Sequence, residues 1–178
     1  SVGWSLVLLT RLRGSAAFEP DVPALLIHGA GMLLTVFTPF MYGFLWTVFP
    51  RWMPAPAISR RGTLLVFWSL NLAQLLMLAG LISWSGLYIA GWFAFSGAML
   101  AASGLLSKSL WQALDRVPHG FVTLTGLWAG LVSATLFTAA LLERDFSGWQ
   151  LTRGIGLWSF LLVVYFAVCH RMLPFFTS

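Results

Sequence analysis

The chain has 178 residues, 59% apolar and only 8% charged, with a net charge of +5. A soluble domain carries about 25% charged residues, so this chain has too few charges to cover a water-facing surface and belongs in a membrane. Its arginines stand singly between apolar runs, with no basic cluster interleaved with aromatics, which excludes a nucleic-acid-binding face.

The fold class this implies is all-α: a polytopic membrane helix bundle of about five complete transmembrane helices plus the end of a first one. Val2 to Leu9 is too short to span and lacks the charge-then-apolar order of a signal peptide. It reads as the tail of a first span, closed by Arg11 and Arg13. The expectation is therefore a single membrane domain over residues 1–178, forming the N-terminal half of a longer protein. Gly14 to Pro23 holds Glu19, Pro20, Asp21 and Pro23, a poor helix and a good connector.

Between Asp21 and Arg51 no charged residue occurs, a stretch longer than the roughly 20 apolar residues a spanning helix needs. The second span is predicted from about Ala24 to Val48. His28 lies just inside its start, and an ionisable side chain within a span is costly enough to be read first as functional. Met32 follows four residues later on the same helix face. Pro39 removes a backbone donor and crowds the preceding turn, which predicts a kink near Thr35.

Pro50, Pro54 and Pro56, with Arg51, Arg60 and Arg61, make the next loop. The third span, Gly62 to Ile82, carries Asn71 and Gln74, whose amides suit interhelical hydrogen bonds. A turn through Ser83 to Gly86 leads to the fourth span, Leu87 to Leu106, where Ala90, Ala94, Ala98 and Ala102 predict a smooth packing stripe. The fifth span, Phe121 to Leu142, offers Gly126 and Gly130 for the same purpose. The sixth runs from Leu151 to Leu173, with Pro174 expected to stop it or bend its last turn. Trp46, Trp52, Trp84, Trp111 and Trp149 fall near span ends, where amphipathic rings prefer to sit.

Alternate loops divide the cations. Arg51, Arg60, Arg61, Lys108, Arg116 and Arg171 fall on one side, which the positive-inside rule makes cytoplasmic. His28 then lies toward the outer leaflet, with His119 and His170 toward the inner one. All five carboxylates, Glu19, Asp21, Asp115, Glu143 and Asp145, fall in loops or at span ends, which counts against an ion- or proton-coupled transporter. The single Cys169 excludes an internal disulfide and a metal-type cysteine pair.

Candidate chemistry rests on three histidines and Arg171. Imidazole is a common haem and metal ligand, so His28 is a candidate iron ligand, the plainer account being a bond to a backbone carbonyl. With Met32 it also makes an imidazole–thioether pair suited to copper, unless Met32 only fills the core. His119 follows Pro118 at a loop-to-helix junction and reads as solvated. His170 stands beside Arg171, which either meets an anion, such as a haem propionate, or snorkels to water. His28 and His170 are expected on opposite sides of the bilayer and so not on one iron. The second axial ligand of a haem on His28 would come from chain beyond these residues or from partner helices.

The second span resembles the opening motif of the NnrS family, membrane proteins associated with haem, copper and the response to nitric oxide. The matching positions are His28, Met32, Gly43-Phe44-Leu45, Thr47, Pro50 and Trp52. Arg171-Met172-Leu173-Pro174-Phe175-Phe176-Thr177 resembles a second signature of that family. Ala30 and Gly31 stand where the family commonly has a second histidine and a glutamate, and Cys169 and His170 stand where it tends to glycines. The resemblance implies a haem-binding bacterial inner-membrane protein of nitrosative stress, with His28 as an axial ligand. The His28-Gly29, Met32, Pro39 and Gly43 spacing also resembles haem–copper oxidase subunit I, which keeps open a terminal-oxidase or nitric oxide reductase-like redox subunit. A third possibility is a cofactor-free transporter or structural subunit in which His28 only packs. Whether any reaction is catalysed stays open.

Overall fold

The computed structural model describes residues 22–113 and 118–177, and among these every regular element is helical. The partial first span expected over Val2–Leu9 and its connector lie outside the described residues. Five helices among the described residues are long and apolar enough to cross a membrane. They are α1 (Ala24–Trp52), α2 (Arg60–Ile82), α3 (Ser85–Trp111), α4 (Pro118–Glu143) and α5, which spans over Trp149–Met172. They are the second to sixth spans of the sequence, each starting or ending a few residues beyond its expected limits. The Ser59 side chain accepts from the Gly62 amide at 3.2 Å and so fixes the start of α2 ahead of its first apolar residue. Pro174 does not stop α5, whose helical backbone continues to Thr177.

The two central helices are α3 and α4: 50% and 56% of their apolar windows are buried, against 28–33% for the others. Trp92, Phe95, Met99, Ala102 and Leu106 of α3 and Leu127, Ala134, Phe137 and Leu141 of α4 recur at helical spacing and form the core between them. The outer helices expose large apolar side chains instead, Leu64, Trp68 and Leu72 on α2 and Trp158 and Phe166 on α5. In a membrane these faces meet lipid, so their exposure carries no penalty.

The α2–α3 hairpin makes the broadest helix pair in the bundle. Gly80 leaves no room for a side chain against the Leu87–Tyr88 backbone, and a Cβ at Gly91 would lie 2.7 Å from the Met77 amide nitrogen. Backbone cannot yield as a side chain can, so these glycines set how closely the two helices approach. The alanine stripe expected on α3 splits: Ala98 and Ala102 are buried, Ala90 and Ala94 exposed. Four residues make slightly more than one turn, so a period-four row drifts about 40° per step and leaves the contact face. On α4, Gly126 and Gly130 do form a packing face, against Val164 and the ring of Phe160 on α5.

Both outermost helices contain a widened, π-helical turn, Gly31–Val36 in α1 and Ile155–Leu162 in α5. The two segments touch each other. In α1 the cause is Pro39, which has no N–H to give the Thr35 carbonyl. Gln74 of α2 supplies the missing donor, its Nε2 reaching the Thr35 oxygen at 2.8 Å. The amide expected to bond between helices therefore does so, whereas Asn71 turns back to the Phe67 carbonyl of its own helix at 2.7 Å. In α5 the Thr152 carbonyl, just ahead of the wide segment, accepts from Ser133 Oγ of α4 at 2.8 Å.

Candidate functional site

His28 lies one turn before the wide segment of α1. It is half-buried and shares its face with Met32, also half-buried, so the two side chains singled out as ligands stand together. The same face carries Leu25 and Val36, 72% and 44% exposed. The opposite side of the helix buries Leu26, Ile27, Ala30 and Leu34 in the bundle.

Trp149, at the start of α5, fixes this end of α1. Its ring occupies the space beside Gly29, where a Cβ would meet Cζ2 at 2.9 Å. The ring is the last of an aromatic series that crosses the bundle: Trp92 to Phe137 with centroids 4.7 Å apart, and Phe137 to Trp149 at 5.7 Å, both edge-on. Edge-on pairs contribute about 0.5–1.5 kcal/mol each beyond their buried area, so the backbone beside His28 is anchored to the core through rigid rings. One turn further, Leu33 packs on Gly156 of α5.

A cavity of about 620 Å³ opens on the neighbouring face, between α1, α2 and α3. Its lining includes Ile27, Gly31, Thr35, Gln74, Tyr88 and Trp92 but neither His28 nor Met32. In donor chemistry the His28 face fits haem: an imidazole and a thioether, both with affinity for iron, one helical turn apart beside an open apolar surface. The described helices do not wall that surface in. A macrocycle held by His28 would rest against Leu25, Met32 and Val36, the last of which also lines the cavity.

The other two expected residues, His170 and Arg171, lie elsewhere. Both are exposed. Because α5 begins beside Gly29, the 21 residues from Trp149 to His170 carry its far end roughly 30 Å away at about 1.5 Å per residue. The structure thus separates His28 and Met32 from His170 and Arg171, as the loop positions of the spans require.

What the residue-by-residue reading missed is His119. It is half-buried, and its ring lies 4.7 Å from that of His170, with the planes inclined at 52°. Pro118 and Gly120 place it on the first turn of α4, where Gly120 is closed over by Met53 and Leu110. The signal was available, since the start of one span and the end of the antiparallel one after it must lie on the same side of the membrane. No group of three or more His, Cys, Asp or Glu that could hold a metal occurs among the described residues.

Comparison with known proteins gives a family model described as NnrS protein, matching residues 1–178. No curated protein and no solved structure matches the chain.

Proposed function

Since the chain belongs to the NnrS family, we propose that it is a haem-binding protein of the bacterial inner membrane that acts in the response to nitric oxide, with His28 as an axial ligand. The observation that carries this reading is the pairing of His28 and Met32 on one half-buried face of α1, beside the wide turn, in a span with no charged residue from Ala24 to Pro50. Widened turns occur often at functional sites, because they re-aim the side chains next to them.

In this reading His28 holds the iron and Met32 flanks it. Leu25 and Val36 give the macrocycle an apolar seat. Trp149 keeps the α1 backbone from shifting under the ligand. A second ligand to the iron would have to come from outside the described helices. Ferrous haem would supply the chemistry, since its iron binds nitric oxide directly. The thioether of Met32 also suits copper in its soft Cu⁺ form, to which this face would offer an imidazole–thioether pair. The likeness to haem–copper oxidase subunit I stays confined to α1, whereas the family match extends over residues 1–178.

The full-length protein, purified from membranes, is expected to show a Soret band that is lost or displaced in His28→Ala. An unchanged spectrum in that variant takes His28 out of the site. A colourless protein after expression with ample haem supply removes the haem reading.

A further inference from the structure

We propose that His119 and His170 together form a binding site for a borderline divalent transition-metal ion, at the end of the bundle remote from His28. The pair is drawn from two helices, one ring on the first turn of α4 and the other near the end of α5, with centroids 4.7 Å apart and planes inclined at 52°. A metal about 2.0–2.1 Å from one nitrogen of each ring lies roughly 3.2 Å from each ring centre, which puts two cis imidazoles roughly 5 Å apart. The observed spacing is already that of a chelating pair. The planes, inclined at 52°, are not stacked in parallel.

The setting favours chelation further. His119 is half-buried and its helix turn is braced, with Met53 and Leu110 closing over Gly120 and the Thr123 hydroxyl donating to the His119 carbonyl at 2.7 Å. The backbone that carries one imidazole is therefore held in place, and the exposed ring of His170 would close the chelate from α5. Among the described residues no third His, Cys, Asp or Glu joins them. The ion would keep open positions for water or an exogenous ligand, as catalytic and exchangeable sites do and closed structural sites do not. Two nitrogen donors, with no carboxylate beside them among the described residues, select imidazole-binding metals over Mg²⁺ and Ca²⁺, with Cu²⁺ bound more tightly than Zn²⁺. Arg171, next to His170 in sequence, is exposed.

The proposal is independent of haem at His28, and one titration separates the two. Cu²⁺ is added to the full-length protein in nanodiscs and followed by electron paramagnetic resonance. The expected result is one ion whose nitrogen superhyperfine pattern shows two equivalent imidazoles. His170→Gln, at an exposed position that leaves the fold intact, should weaken binding about tenfold or more, because the second imidazole acts as an intramolecular ligand. His119→Gln should do the same, and His28→Ala should leave this signal unchanged. Cu²⁺ should in turn displace Zn²⁺ loaded beforehand, with Zn²⁺ competing only in large excess. No stoichiometric binding, or a two-nitrogen signal that survives His170→Gln, overturns the proposal and makes the pair a packing contact only. Loss of the signal in His28→Ala alone likewise overturns it, by moving the copper to the other end of α1.

Discussion

The wide turns of α1 and α5 look alike and touch each other, yet they arise differently. Pro39 opens the one in α1: it cannot donate to the Thr35 carbonyl, and Gln74 does so instead at 2.8 Å. The one in α5 has no proline between Ile155 and Leu162. It sits where Gly156 lets Leu33 and Ser133 close in, and where Ser133 takes the Thr152 carbonyl. The first is a local defect patched by a neighbour, and the second a local accommodation to neighbours. A distortion written in its own helix survives repacking, whereas one imposed by packing relaxes once the packing is relieved.

The largest effect is expected where the two turns meet. A Cβ at Gly156 would lie 2.8 Å from Leu33 and 2.9 Å from Ser133 Oγ. Gly156→Leu should therefore cost about 1–3 kcal/mol as an overpacked contact, read as an earlier midpoint when the protein is unfolded in mixed micelles. A wild-type midpoint would show that the turns do not bear on each other. The next effect is that of Gln74→Leu, which leaves the Thr35 carbonyl unmet at a cost of about 1–2 kcal/mol. In a Pro39→Ala background the restored amide takes that carbonyl, so the same change should then cost almost nothing. Equal costs in the two backgrounds would sever Gln74 from the proline. The smallest is Ser133→Ala, about 0.6 kcal/mol by the usual size of hydrogen bonds inside membranes, and it should be indifferent to Pro39→Ala.

The same division runs through the candidate sites. His28 was legible as a single residue, because an imidazole inside an uncharged run is conspicuous wherever it points, and its partner Met32 follows from helical spacing alone. A local distortion beside them was legible from Pro39, and it takes the form of the wide turn Gly31–Val36. His119 was not, since beside Pro118 at a helix start it looks like any solvated histidine until α5 brings His170 to 4.7 Å. The packing of α3 was misjudged for a related reason. Ala90 to Ala102 form a regular row in sequence, but the row winds around the helix while the contact face stays put. The close approach of α2 and α3 falls to Gly80 and Gly91.

By itself the sequence determined the membrane class, the five described spans, a distortion of α1 near Thr35 and the family resemblance, because each depends on composition or on spacing within one helix length. Only the tertiary structure decided which face of each helix turns inward, where α5 widens, and that the rings of His119 and His170 meet. The reason lies in the solvent: lipid is as apolar as the core, so hydropathy marks where a helix spans but not which side it buries. Backbone fit, small residues and a few interhelical hydrogen bonds make that choice, and they exist only between helices already assembled.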